Sequence, residues 1–134
     1  MTRYIYAYIA ALLVFCAVDY VWIGILMTDF YRVRLGDLML ARPRLDAAAA
    51  FYLIFIGGLV YFGTRPGIQA KSWKTAACNS ALFGVVAYAT YDLTNLATLK
   101  TWFVDLTLID MLWGAIVSAI GGSAGYAASR LGRA

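Results

Sequence analysis

Histidine and glutamate are missing from all 134 residues, so every acidic side chain is one of seven aspartates. Without them the common zinc and di-iron ligand sets cannot be assembled, and histidine-based triads are excluded as well, so no metal site is expected. Cysteine is scarce. Cys16 and Cys78 fall in separate apolar stretches at different depths, so a disulfide is not expected and both read as small core residues. Charge is also low: 13% of residues, against roughly 25% in soluble domains, too few to wet the surface of so small a globule. Lipid is therefore the expected solvent and the bilayer the first partner.

What fills the chain instead is hydrophobic residues, 63% of the total. The net charge of +4 could suggest nucleic acid, but the eleven Lys and Arg side chains lie at segment ends, where they would meet phospholipid headgroups, and nucleic acid is not an expected partner. The length predicts one domain, residues 1–134. A helix needs about 20 apolar residues to cross the hydrocarbon layer. Four segments meet that test: 4–27, 47–64, 75–99 and 106–129. The expected fold class is thus all-α, an integral membrane protein built as a compact four-transmembrane-helix bundle.

The start, Met1-Thr2-Arg3 before an apolar run, has the look of a signal peptide, but the run resumes after Asp19 and reads as a retained first helix. Between the first two spans, residues 28–45 carry Arg32, Arg34, Arg42 and Arg44 around Leu35, Leu38, Met39 and Leu40, a mixture that suits either an interfacial helix or a plain loop. Pro43 is expected to end any such helix, and Arg65-Pro66-Gly67 to end the second span. Arg3, Arg65, Lys71, Lys74, Arg130 and Arg133 on one face slightly outnumber the four first-loop arginines and Lys100 on the other, which predicts both termini in the cytoplasm. Small residues bring membrane helices together, and Gly57-Gly58 and Gly121-x-x-x-Gly125 are the candidates. Packing within the bundle is the simpler use of Gly121 and Gly125; a homo-oligomer or membrane-partner seam is the other.

Three spans carry an aspartate, each costing about 2.5–3.5 kcal/mol at mid-bilayer. Counting residues from the span ends places Asp19, Asp92 and Asp110 about 6–12 Å below the surface that bears the first loop, all at one level. Tyr88, Asp92 and Asn95 share a helical face with Gly84, and Tyr91 lies beside it. Asp19 with Trp22, and Asp110 with Trp113, repeat an Asp-x-x-Trp spacing on antiparallel spans. The expected pocket is therefore Asp19, Trp22, Tyr88, Tyr91, Asp92, Asn95, Asp110 and Trp113. Three uses stay open: binding of a cation or small ligand, with an accessory-subunit role included; lipid- or isoprenoid-modifying chemistry with an Asp pair as acid and base; and a purely structural hydrogen-bond network. No cofactor is indicated. Asp29, Asp46 and Asp105 sit at span ends as solvated carboxylates, and Trp73 and Trp102 occupy aromatic-belt positions.

The run from Tyr88 to Lys100 (Tyr-Ala-Thr-Tyr-Asp-Leu-Thr-Asn-Leu-Ala-Thr-Leu-Lys), then Trp102 and Leu108-Ile109-Asp110-Met111-Leu112-Trp113-Gly114, resembles the small bacterial membrane-protein family catalogued as domain of unknown function 2177. Asp19-Tyr20-Val21-Trp22-Ile23-Gly24 and Phe30-Tyr31 carry the same resemblance. It implies a bacterial inner-membrane protein with the four-span layout, and brings no activity with it.

Overall fold

The computed structural model describes residues 1–133, and these hold helices and no strand. Helix α1 (Thr2–Val21) runs on through a π-helical turn, Trp22–Leu26, into the short α2 (Thr28–Leu35). After an irregular stretch, α3 (Leu45–Leu59) passes through a second π turn, Val60–Thr64, into α4 (Arg65–Ala70). Two 26-residue helices follow, α5 (Trp73–Thr98) and α6 (Val104–Ser129), and a 3₁₀ turn, Arg130–Arg133, ends the described chain.

Three helical stretches, Thr2–Leu26, Leu45–Ala70 and Val104–Arg133, are long and apolar enough to cross a membrane. The expected fourth span, α5, has the length, about 39 Å at 1.5 Å per residue, but is not among them. Asn79, Ser80, Asp92, Asn95 and a series of threonines make it the most polar of the long helices.

Pro66 does not end its helix as expected. It falls at the start of α4, directly after the π turn, where the wider backbone leaves a missing N–H and a proline ring harmless. The helix stops instead at Lys71, which takes a left-handed conformation at φ 53°. Ser72 then caps α5, its Oγ accepting from the Thr75 N–H at 3.2 Å.

Helix α6 is the centre of the bundle, buried on two adjacent stripes. One faces α1, whose own buried stripe advances four residues at a time through Ala7, Ala11, Phe15 and Asp19. Gly121 faces Phe15 and Leu59, and Gly125 lies against the Ala7 carbonyl and Thr64, so both glycines are used inside the chain. The other stripe meets α5 antiparallel, and each step of four up one helix is a step of four down the other: Ser80 opposes Gly122, Gly84 opposes Ser118, and the Tyr88 ring lies on Gly114. A side chain facing a glycine at every turn brings these two backbones close.

At the far end of the bundle Gly132 lies against the Arg3 backbone, so the start of α1 and the end of the described chain share one end. The π turn after α3 packs tightly on α5: Gly63 is seated on Ser80, and Thr64 donates to the Gly122 carbonyl at 3.1 Å. The backbones of α3 and α5 approach at few points, and Phe55 of α3 reaches across to Phe83 and Tyr88.

A β-carbon at position 84 would run into the Gly114 carbonyl and the Ser118 side chain, whereas at Gly57 it would meet nothing. Gly84→Val is therefore expected to cost about 1–3 kcal/mol, the usual penalty of overpacking, and Gly57→Ala to leave the melting temperature of the purified protein unchanged. Equal melting of the two variants would remove the close α5–α6 approach as the organising contact.

Candidate functional site

Asp19 ends the buried stripe of α1 and is 2% exposed. Two donors meet it: Tyr52 Oη of α3 at 2.5 Å on one carboxylate oxygen and Trp113 Nε1 of α6 at 2.9 Å on the other. One hydrogen bond on each oxygen offsets part of the cost of burying this side chain.

Trp113 does not serve Asp110, its neighbour in sequence. Its indole stacks on that of Trp22, centroids 4.3 Å apart and planes within 4°. Trp22 in turn donates to Tyr31 Oη at 3.2 Å, and Tyr31 donates to Asp110 Oδ1 at 2.7 Å. The two Asp-x-x-Trp segments therefore exchange partners across the α1–α6 contact, directly at Asp19 and through a tyrosine at Asp110. The π turn that opens at Trp22 belongs to this junction, a usual place for such turns.

Asp92 is different. It is 0% exposed, and neither carboxylate oxygen has a hydrogen-bond donor among the described residues. Continuing the four-residue register of the α5–α6 seam brings it opposite Asp110, whose carboxyl is its acidic neighbour. The threonines nearby do not help it, because Thr90, Thr94 and Thr98 turn their hydroxyls back to the carbonyls of Val86, Thr90 and Thr94 on their own helix.

All three carboxylates line one cavity of about 560 Å³. Its walls are aromatic and apolar: Phe51 and Tyr52 from α3, Tyr88 and Tyr91 from α5, and Trp102 from the α5–α6 connection. Tyr31 and Leu35 of α2 and Met39 just after it close the end nearest the first loop. Arg34 ties this roof down, bonding Asp105 at 2.5 Å and lying 3.7 Å over the Phe30 ring. The Asp105 carboxylate pushes the Arg34 guanidinium above its ordinary range and keeps it charged.

Of the eight residues expected at the pocket, Asp19, Tyr88, Tyr91, Asp92 and Asp110 line the cavity. Trp22 and Trp113 stand behind it, ordering the aspartates, and Asn95 is not part of its lining. Sequence reasoning missed Tyr31 and Tyr52, whose hydroxyls reach Asp110 and Asp19, and gave Trp102 to the aromatic belt. Trp102 also lines the cavity, packs edge-on against Tyr91, centroids 5.7 Å apart, and donates to Thr107 Oγ1 at 3.1 Å. Tyr31 could have been found, because Phe30-Tyr31 stood within the family resemblance; Tyr52 carried no such signal. No group of three or more acidic or cysteine side chains that could hold a metal ion occurs among the described residues.

Tyr52→Phe removes one of the two donors to Asp19 and is expected to destabilise the protein by about 1–3 kcal/mol. Tyr8→Phe loses a bond to the Leu53 carbonyl at an exposed position and serves as the control, with a much smaller effect. Thermal unfolding of both variants in one detergent decides; equal losses would show that the Tyr52 bond holds nothing specific.

A family model described as a predicted membrane protein, DUF2177, matches residues 4–127. No curated protein and no solved structure matches the chain.

Proposed function

This chain belongs to the DUF2177 family of predicted membrane proteins, and we propose that it is a four-span membrane bundle that binds a small cationic ligand in the cavity between α1, α3, α5 and α6. The observation that carries the reading is Asp92: a fully buried carboxyl group in the wall of a cavity, with no donor on either oxygen. A buried carboxylate without partners is expensive. A cation in the cavity supplies the missing charge and donors, and the tyrosine and tryptophan walls add cation–π attraction.

Two observations support counting α5 as the fourth span. The start of α1 and the end of the described chain lie against each other, which requires an even number of crossings, and three would separate them. The exposed threonines of α5 satisfy their own hydroxyls on backbone carbonyls, so that face presents no unmet polar group to lipid. On this reading the protein sits in a bacterial inner membrane with both termini in the cytoplasm, the side favoured by the lysine and arginine count.

The adjacency of Asp92 and Asp110 also favours a second reading, in which the pair acts as acid and base on a lipid or isoprenoid. The readings separate by experiment. Thermal unfolding of the purified protein across a panel of monovalent cations and small amines is expected to give a saturable rise, about 2.7 kcal/mol at a hundredfold excess over Kd. Asp92→Asn should melt no lower than the wild type and show no rise with any member of the panel. A wild-type protein that no member stabilises would sink the binding reading, and a lipid profile altered in cells carrying Asp92→Asn would favour the chemical one.

A further inference from the structure

We propose that the ligand is a membrane-borne amphiphile, a primary ammonium group on an apolar chain, which enters sideways from the bilayer between α3 and α5. The proposal rests on the cation-binding reading and narrows it. A bare inorganic ion would occupy only a small part of a cavity of about 560 Å³, a size within the range that holds drug-sized molecules, and no metal-holding cluster accompanies it among the described residues. Most of that space is bounded by apolar and aromatic side chains, which favour a hydrocarbon body.

The head follows from Asp92. Both of its oxygens lack a donor, and an ammonium bearing N–H groups can donate to both, which a quaternary ammonium cannot. Asp19 has its two donors already, and Asp110 has Tyr31, so Asp92 is the carboxylate left for the ligand.

The route follows from packing. At the end nearest the first loop the cavity is roofed by Tyr31, Leu35 and Met39, with α2 pinned to α6 through Tyr31–Asp110 and Arg34–Asp105. On the flank, the backbones of α3 and α5 approach at few points, with Phe55 of α3 reaching across to Phe83 and Tyr88. The cavity residues at that flank, Phe51 and Tyr91, are 44% and 57% exposed, so the cavity meets the surface of the bundle where lipid chains would lie.

The protein in zwitterionic nanodiscs, titrated with dodecylamine, dodecanol and ethylamine, tests this by melting temperature and tryptophan fluorescence. Dodecylamine is expected to raise the melting temperature saturably, with the effect abolished in Asp92→Asn. Its apparent affinity should fall at least tenfold in Ala48→Trp, which fills part of the cavity and leaves every carboxylate in place. Ala48→Trp keeps the test decisive should Asp92→Asn fold poorly. Ethylamine acting as well as dodecylamine, with Ala48→Trp unaffected, would overturn the amphiphile while leaving the cation reading intact. Dodecanol acting as well as dodecylamine would show that charge is not read and overturn the proposal. No response to any of the three would overturn it together with the reading on which it rests.

Discussion

The close antiparallel seam between α5 and α6 is the contact from which the site follows. Lipid gives no hydrophobic drive for helices to associate, so the seam relies on backbone approach, with Ser80 opposite Gly122, Gly84 opposite Ser118 and Tyr88 on Gly114. The register these pairs impose leaves no freedom at the next turn: Asp92 comes opposite Asp110. The two carboxyls face each other because the small residues below them fix the helices at one spacing. The same approach makes α6 central, with its other stripe free to take α1.

On the α1 side the organising interaction is the stack of Trp22 on Trp113. Each indole carries one N–H, and a buried indole N–H seeks an acceptor. Because the rings lie face to face, each N–H serves the helix opposite its own: Trp113 reaches Asp19, and Trp22 reaches Asp110 through Tyr31. The exchange ties α1, α2, α3 and α6 at one level, and Tyr31 holds the roof over the cavity together with the Arg34–Asp105 pair.

Much of this was legible in the sequence through periodicity and depth. Asp19, Asp92 and Asp110 could be set at one level by counting from span ends, and the stripe Gly84, Tyr88, Asp92 by its four-residue step, because helical geometry makes both deductions local. Its complement on α6, Asp110, Gly114, Ser118 and Gly122, carries the same step, whereas Gly121 and Gly125 belong to the neighbouring stripe, the face that meets α1 and Thr64. What could not be read was anything that depends on how helices far apart in sequence are placed. Tyr52 is one aromatic among many in α3 until α3 is set beside Asp19. Pro66 reads as a stop until a π turn is known to precede it.

The three aspartates also weigh differently on the question of structure against function. A buried hydrogen-bond network fixes a fold when every member is satisfied, and a half-satisfied one costs more than an apolar core. Asp19 meets that standard, with two strong donors on two oxygens, and its removal should be felt as lost stability. Asp110 meets it in part, through Tyr31. Asp92 does not: no hydroxyl or N–H donates to it, it faces a second carboxyl, and the space beside it is a cavity. A residue selected only to hold the bundle together would be replaced here by leucine or alanine at a gain of a few kcal/mol. On the proposed reading, the cost that Asp92 carries without a donor is the measure of what a cationic ligand can return.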